Sequence, residues 1–328
     1  MSFSEVLGQN LAITILKNGL ERNRLSHAYL FSGEKGVGKS ITAFEFAKSI
    51  NCKEKIKDSC DQCISCRKAT NNNHPDIKEI RPDGASIKIG QIRSLQQEIL
   101  YKPYESKKKV YIIHQIENLR PEAGNSLLKT LEEPPDYAII ILITNNYNQV
   151  LSTIISRCQL IRFSRVPDRL IKNKLLSDHK LTAEKSKLIT SLAAGCYQRA
   201  LDLISDEEKM EERKYILELI ISLKDSNQIR SFEVAKELLN YKDEINQILD
   251  TIATWYRDLL LTKLNQTDNL VNTDYEDHLI AEASDLSQIK IEKIIKLVED
   301  TNNVIKRTNV NLRLTLEVML LKLNRLRR

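Results

Sequence analysis

The chain has 328 residues, of which 41% are hydrophobic and 29% charged, a composition that excludes extensive disorder and predicts two or three globular domains. Its 50 basic and 44 acidic residues leave a net charge of +6, which is too mild to indicate a protein that binds nucleic acid chiefly through charge. No uninterrupted apolar run reaches the ~18 residues of a membrane span. The N-terminal residues lack a signal-peptide pattern, so we expect a cytoplasmic protein with no membrane partner.

A phosphate-binding loop follows the first predicted helix and strand. Residues 10–22 carry apolar side chains at helical spacing, and residues 28–31 form an apolar run typical of a buried strand. Residues 33–40 then read Gly-Glu-Lys-Gly-Val-Gly-Lys-Ser, which fits the P-loop pattern, and a helical pattern follows over residues 41–47. In a P-loop the backbone N–H groups and the lysine bind phosphates, and the serine hydroxyl binds magnesium. The residues that we predict to bind ATP or ADP with Mg²⁺ are Gly33, Gly36, Gly38, Lys39 and Ser40.

A cysteine module comes next in the chain. Its four cysteines are Cys52, Cys60, Cys63 and Cys66. In a reducing compartment this spacing indicates a metal site rather than disulfides, and four thiolates can enclose a structural Zn²⁺ at about 2.3 Å. An iron–sulfur cluster and a cysteine group without metal are the alternatives. His74 follows, and because four thiolates are available we interpret it as a turn residue ahead of a strand at residues 77–80.

The next strand ends without the acidic residues that ATP hydrolysis requires. A helical pattern over residues 89–100 precedes an apolar strand at residues 110–113. A working ATPase would normally end this strand with Asp and then Glu, the first near the magnesium and the second polarising the attacking water. His114 and Gln115 occupy these positions, although Glu117 could partly substitute. We therefore expect weak or absent ATP hydrolysis by this chain alone.

One helix and two further strands complete the predicted sheet. Residues 121–133 form a helix bounded by prolines. Residues 138–143 form a buried strand that ends in Thr144 and Asn145, where the γ-phosphate could be sensed, and residues 159–163 form the last strand. Five strands that alternate with helices predict an α/β domain with a parallel sheet and ligand chemistry at the carboxyl ends of the strands.

The rest of the chain is predicted to be helical. The predicted domains are residues 1–165 with the cysteine module at 52–66, a small helical lid at residues 166–207, and an all-helical domain at residues 208–328. A charged run at residues 206–213 marks the second boundary, although a solvated helix face would show the same pattern. Trp255 lies in an apolar stripe with helical spacing, and we interpret it as a core residue.

Several short strings together resemble the bacterial clamp-loader ATPase family of the AAA+ class. They are residues 27–31, the cysteine module, residues 74–76, residues 125–135 and residues 156–158. The resemblance extends over residues 1–165 and, more loosely, over the lid through Arg199. It implies an AAA+ nucleotide-binding domain, a helical lid and a helical collar that holds the oligomer together.

The resemblance also implies partners and roles for particular residues. Clamp loaders of this family are pentamers that open a ring-shaped sliding clamp and place it on primer–template DNA. The implied partners are gamma or tau and delta subunits, the clamp and, through the complex, DNA, all within the DNA polymerase III holoenzyme, a nucleotidyltransferase. The arginine of the family's Ser-Arg-Cys motif, Arg157 here, reaches the nucleotide site of a neighbouring subunit, where a guanidinium can bridge phosphate oxygens. Arg199 would face phosphate as the second sensor, and a surface salt bridge is the alternative role for Arg157.

The departure at His114 and Gln115 separates the possible subunit types. Motor subunits of the family, gamma and tau, keep an acidic strand end, so this chain looks like a stator-like subunit that acts through Arg157 and protein contacts. An ATP-hydrolysing motor subunit is the first alternative. The second alternative is a zinc-containing nucleic-acid-binding module with a vestigial P-loop, which would bind DNA with a steep salt dependence.

Overall fold

The chain forms two units in its computed structural model. The structure describes residues 2–55, 57–224, 227–308 and 310–327. One unit comprises Met1–Asp178 and Ala193–Arg199, and the other comprises His179–Leu192 and Ala200–Arg328. The residues that we predict to form a lid are shared between these units, so the division into three domains stays a prediction. Among the described residues, no helix combines the length and the apolarity that crossing a bilayer requires.

The first unit is built on a five-stranded parallel sheet. Its strands are β1 (Ala28–Ser32), β2 (Ile77–Ile80), β3 (Lys109–Ile113), β4 (Ala138–Thr144) and β5 (Gln159–Arg162). They lie in the order β2-β3-β4-β1-β5, and every neighbouring pair runs parallel. The predicted α/β fold class is therefore confirmed, and the carboxyl ends of β1, β3 and β4 meet at one edge of the sheet.

Helices cover both faces of this sheet. As far as residue 179 they are α1 (Asn10–Glu21), α2 (Lys39–Ile50), α3 (Ile64–Thr70), α4 (Ile89–Ile99), α5 (Pro121–Glu132), α6 (Ser152–Ile155) and α7 (Asp168–His179). Successive residues of β1 enter opposite cores, since Tyr29 and Phe31 share one with Phe46 of α2 while Leu30 shares the other with Leu127 of α5. Because both faces are buried, the central strands are continuous apolar runs rather than alternating ones.

The second unit contains helices and connecting loops, and no strand, among its described residues. The remaining helices are α8 (Ala183–Ala193), α9 (Tyr197–Ser205), α10 (Glu207–Ile221), α11 (Gln228–Leu238), α12 (Ile245–Lys263), α13 (Glu276–Asp285), α14 (Gln288–Arg307) and α15 (Leu312–Arg327). Apolar faces of α10 to α15 form one core, in which Trp255 is fully buried. The interpretation of Trp255 as a core residue is therefore confirmed.

Candidate functional site

The P-loop connects the end of β1 to the start of α2. Gly38 immediately precedes α2 at φ +101°, a left-handed conformation that glycine adopts without strain. A Cβ at Gly33 would lie 2.5 Å from the carbonyl oxygen of Phe163, so only glycine allows this close approach. The loop and the N-terminus of α2 therefore provide a site that fits a phosphate group.

Lys39 is buried in this loop, and oxygen atoms surround its ammonium group. Lys39 Nζ donates hydrogen bonds to the carbonyl oxygens of Gly33 (2.7 Å) and Glu34, and to Oδ1 of Asn145 (3.0 Å). Burial lowers the pKa of Lys39 to about 8, although the charges of Glu117 and Glu34 oppose that shift. A phosphate oxygen could replace the loop carbonyls as the partner of this cation.

The end of β4 brings Asn145, rather than Thr144, to Lys39. The side chain of Thr144 is fully buried, and its Oγ1 accepts a hydrogen bond from the backbone N–H of Asn146 at 3.0 Å. Asn145 accepts from Lys39, and its own backbone N–H and Nδ2 donate to Oε1 of Glu117 at 3.1 and 3.0 Å. The γ-phosphate contact predicted for Thr144 stays a prediction.

The end of β3 carries His114 at the position where a hydrolytic P-loop ATPase has its first acid. This imidazole is buried, with Nδ1 3.4 Å from Oγ of Ser40 and Nε2 3.0 Å from Oε2 of Glu79. Gln115 is exposed and has a positive φ of 53°. Within the described residues, the hydrogen-bonding partner of the Ser40 side chain is thus an imidazole and not a carboxylate.

A segment from further along the chain contacts the P-loop. The backbone N–H of Gln198 donates to the carbonyl oxygen of Gly36 at 3.4 Å, and the thiol of Cys196 donates to that of Lys35 at 3.2 Å. A Cβ at Gly36 would lie 2.2 Å from Sγ of Cys196, so the thiol occupies the space of a side chain there. No local pattern predicted this role for Cys196. Arg199 is exposed on the first turn of α9, and its phosphate contact stays a prediction.

Gln9 supports the P-loop from another direction. Its buried Nε2 donates to the carbonyl oxygens of Val37 (3.1 Å) and Ser164 (2.7 Å), and its Oε1 accepts from the backbone N–H of Ser164 (3.2 Å). The side chain therefore ties the loop to the segment that follows β5. Sequence reasoning missed this contact because the partners are backbone atoms 28 and 155 residues away.

The four cysteines of the module converge on one point. The sulfur atoms of Cys52, Cys60, Cys63 and Cys66 all lie within 4.8 Å of one another. Sγ of Cys60 and Sγ of Cys66 are 3.9 Å apart, close to the roughly 3.8 Å that separates sulfurs around a tetrahedral zinc with 2.3 Å bonds. The backbone N–H groups of Lys55, Cys63 and Cys66 donate to three of the sulfurs. The cluster therefore fits a structural zinc ion.

His74 supports this module without belonging to it. Its Nδ1 accepts from the backbone N–H of Asp76 at 3.1 Å, which leaves the hydrogen on Nε2, next to the hydroxyls of Ser65 (3.1 Å) and Ser106 (3.2 Å). Burial lowers the pKa of His74. The side chain therefore joins neighbouring segments. The carbonyl oxygen of His74 accepts from the backbone N–H of Ile77 at 3.3 Å, which makes His74 the first residue of a turn ahead of β2, as interpreted from the sequence.

Buried charges connect the cysteine module to α2. Lys48 and Glu45 on α2 are both fully buried and lie 3.1 Å apart, and Lys48 Nζ lies 2.5 Å from Oδ1 of Asp61. Ser59 donates to Glu45 Oε2 at 3.0 Å. Because Ser59 and Asp61 flank Cys60, the conformation of the module is coupled to the helix that begins in the P-loop.

Arg157 lies just after α6 and is held by neighbouring oxygen atoms. Its Nη1 donates to the carbonyl oxygen of Thr153 at 2.9 Å, and its Nη2 donates to Oε1 of Glu132 at 2.6 Å. The side chains of Arg157 and Glu132 are 34% and 50% exposed, so the guanidinium is accessible from outside this chain. The structure thus contains the salt bridge that was the alternative for Arg157, and leaves the role toward a neighbour as a prediction.

Known proteins resemble this chain over most of its length. Two family descriptions match: "DNA polymerase III, delta subunit" over residues 8–167 and "DNA polymerase III, delta subunit, C terminal" over residues 207–325. DNA polymerase III subunit delta-prime of Bacillus subtilis is 32% identical over 318 residues, which make up 96% of each chain. Subunit tau of the same organism is 35% identical over 284 residues, which are 80% of this chain but only 50% of that protein.

A solved structure also aligns with nearly the whole chain. The gamma subunit-related protein of Thermotoga maritima matches 97% of this chain and 100% of its own, with a TM-score of 0.49 and 21% identity. That likeness is too distant to add to the sequence relationships. Among the relatives described, the match takes in 96% of delta-prime but only 50% of tau, so tau extends far beyond the matched region.

Proposed function

This chain belongs to the delta-prime family of DNA polymerase III clamp-loader subunits, and we propose that it stimulates ATP hydrolysis in a neighbouring subunit without hydrolysing ATP itself. In this role it joins gamma or tau and delta subunits in a hetero-pentamer in the cytoplasm. The complex places the sliding clamp on primer–template DNA. The chain thereby serves the polymerase holoenzyme, a nucleotidyltransferase, through assembly rather than through a catalytic centre of its own.

The observation that carries the proposal is the chemistry at the end of β3. His114 and Gln115 provide no carboxylate beside Ser40, and one oxygen of Glu117 accepts two hydrogen bonds from Asn145. Activation of the attacking water requires a correctly placed acceptor. We therefore expect the steady-state ATPase rate of the purified chain to be no higher than the background rate. Turnover comparable to that of ordinary P-loop ATPases would favour the motor-subunit alternative instead.

Arg157 is the residue that we assign to the neighbouring site. Its guanidinium stays charged at every relevant pH and can contact two phosphate oxygens in one plane. Its hydrogen bonds to Thr153 and Glu132 hold the side chain close to α6 while leaving it partly exposed. An exposed salt bridge of this kind contributes only about 0–1 kcal/mol, so Arg157 can exchange Glu132 for a phosphate at little cost.

We further propose that the P-loop of this chain binds ATP or ADP, and the lowered pKa of Lys39 then predicts a pH dependence. In the nucleotide-free protein, Lys39 loses its charge as pH rises through about 8. A bound phosphate, by contrast, requires Lys39 in its charged ammonium form. Binding above that pH therefore takes up a proton, so affinity falls with rising pH by up to about tenfold per unit. Titration with a fluorescent ATP analogue should show roughly tenfold weaker binding at pH 9 than at pH 7.

Lys39→Arg is the matched control for this titration. An arginine remains charged across the range, so its pH profile should be flatter than that of the native chain, whatever its absolute affinity. The nucleotide's own ionisation affects both proteins equally and cancels in the comparison. Identical slopes for the two proteins would show that Lys39 does not titrate near pH 8.

The cysteine module is proposed to hold one structural zinc through Cys52, Cys60, Cys63 and Cys66. The ion would neutralise the thiolates and cross-link their loop, as closed zinc sites do. Cys63 also caps the start of α3, because its sulfur accepts a hydrogen bond from the backbone N–H of Cys66. The site has no chemical step to perform.

Assembly is the direct test of the proposed function. The purified chain should form a single complex when it is mixed with gamma or tau and delta subunits of one bacterium, and native mass spectrometry should give the mass of a pentamer. The same chain should bind primer–template DNA weakly by itself, because its net charge is only +6. A chain that stays monomeric with every candidate subunit would contradict the proposal.

A further inference from the structure

We propose that this P-loop binds nucleoside triphosphate as the free anion, with little requirement for Mg²⁺. The reason is that three hydrogen-bonded side chains, Ser40, His114 and Glu79, occupy the place of a metal-binding carboxylate. The inference rests on the proposed nucleotide binding and goes beyond it by specifying the form of the ligand. Among the described residues, the side-chain partner of Ser40 supplies no carboxylate oxygen, whereas proteins hold Mg²⁺ in near-octahedral geometry through one or two carboxylates together with substrate phosphates and waters.

The hydrogen-bond pattern places a hydrogen on Nε2 of His114. The hydrogen bond from His114 lowers the pKa of the Glu79 carboxyl against the opposing effect of burial, and Arg81 lowers it further. The ion pair with Arg81 at 2.6 Å independently favours the carboxylate form of Glu79, which can only accept, so Nε2 of His114 carries a hydrogen and donates to it at 3.0 Å. The other ring nitrogen, Nδ1, faces Oγ of Ser40 at 3.4 Å. At this position the imidazole offers a ring nitrogen in place of the carboxylate oxygen that Mg²⁺ prefers.

His114 has little freedom to leave this position. Its side chain is buried, and its backbone N–H donates to the carbonyl oxygen of Ile80 at 2.9 Å, which anchors it beside β2. Glu79, which accepts the hydrogen bond from Nε2 of His114, also forms an ion pair with Arg81 at 2.6 Å. The charge of Glu79 is thus balanced by an arginine, and the imidazole lies between that charge and Ser40.

Each of the other two acids that the structure describes near the P-loop already interacts with a neighbouring side chain through at least one carboxylate oxygen. Glu34 pairs with Arg165 at 2.9 Å. Glu117 accepts two hydrogen bonds from Asn145 through Oε1, and its buried Oε2 has no hydrogen-bond partner among the described residues. The charge of Glu117 raises the pKa of Lys39, so this carboxylate acts on the lysine. The positive charge that a phosphate meets in this site therefore comes from Lys39 and the α2 N-terminus.

The experiment compares nucleotide affinity with and without Mg²⁺. A fluorescent ATP analogue is titrated into the zinc-containing chain in buffer freed of divalent ions by resin, and again with added Mg²⁺; chelators are avoided because they would attack the cysteine module. The native chain should show dissociation constants that agree within about twofold. His114→Asp, which restores a carboxylate beside Ser40, should gain a tenfold or larger tightening with Mg²⁺. His114→Asn, a neutral control of similar size to aspartate, should stay insensitive.

Three results would overturn the inference. The first is native affinity that falls tenfold or more when Mg²⁺ is removed. The second is tenfold tightening by Mn²⁺ or Co²⁺, which would make His114 a metal ligand, since imidazole suits such ions. The third is an absence of nucleotide binding in every buffer. That third result would refute nucleotide binding by this chain while leaving the proposed action of Arg157 on a neighbour intact, because Arg157 is measured in the assembled loader. If His114→Asp does not fold, the native comparison decides alone.

Discussion

Replacing Arg157 by alanine is expected to lower ATP hydrolysis at the adjoining subunit's site by about 10³-fold or more, since arginine fingers supplied from outside a site contribute 10³ to 10⁵ in turnover. The physical reason is that the guanidinium neutralises charge that develops on the transferred phosphate in the transition state. The measurement is the DNA- and clamp-stimulated ATPase of the reconstituted loader, resolved by single-turnover kinetics because other sites keep their own turnover.

Two further variants separate this role from a merely structural one. Glu132→Ala removes the salt-bridge partner of Arg157 (2.6 Å) but leaves the guanidinium in place, so hydrolysis should remain close to that of the native complex. Arg157→Lys keeps the charge but loses the planar pair of donors, and should recover only part of the activity. All three proteins should unfold at nearly the native temperature, since the pair is exposed and contributes about 0–1 kcal/mol.

Equal loss of activity in Arg157→Ala and Glu132→Ala would show that the salt bridge, rather than the guanidinium, matters. Native activity in Arg157→Ala would remove the proposed role altogether. Assembly must be checked for each variant by native mass, because a complex that fails to form would also lose stimulated turnover.

Replacing Cys66 by serine is expected to abolish stoichiometric zinc binding and to destabilise the first unit. Cys66 is fully buried and its sulfur lies 3.9 Å from that of Cys60, so its loss leaves three ligands and an opened site. Loss of a structural metal is among the few changes that cost several kcal/mol. A loss of about 3 kcal/mol would lower the melting temperature of a unit of this size by about 6–12 °C.

Metal analysis and calorimetry on the same samples test this expectation. The native protein should contain about one zinc per chain, and Cys66→Ser should contain much less. Cys158→Ser is the matched control, since Cys158 is also a free cysteine but lies outside the cluster, and its zinc content should equal that of the native chain. Freshly purified native protein without zinc would refute the assignment, and iron in its place would support a cluster.

The destabilisation should also reach the P-loop helix. Ser59 and Asp61, which flank Cys60, bind the buried pair Glu45 and Lys48 on α2. If the module loosens, hydrogen exchange should rise in α2 as well as in residues 52–70. A rise in hydrogen exchange that is confined to residues 52–70 would show that the cysteine module and α2 are not coupled.

Much of the fold was predictable from the sequence because the informative residues are neighbours in the chain. The P-loop octapeptide, the spacing of the cysteines and the five apolar runs each lie within a few residues, and each carries its own local physical requirement. The predicted strands agree with β1 to β5 to within a residue or two at each end, and the clamp-loader family that the strings resemble is confirmed by the relatives.

The connections within the nucleotide site were decided only by tertiary structure. Ser40 and His114 are separated by 74 residues and His114 and Glu79 by 35, and they meet because β2, β3 and β1 end at the same edge of one sheet. Strand order, which periodicity does not encode, therefore places the His114 imidazole between the Ser40 hydroxyl and the Glu79 carboxylate. By itself the sequence determined which residue types this protein has for binding phosphate and metal; the packing of distant segments determined which of those residues touch, since side-chain contacts depend on the strand order and not on spacing along the chain.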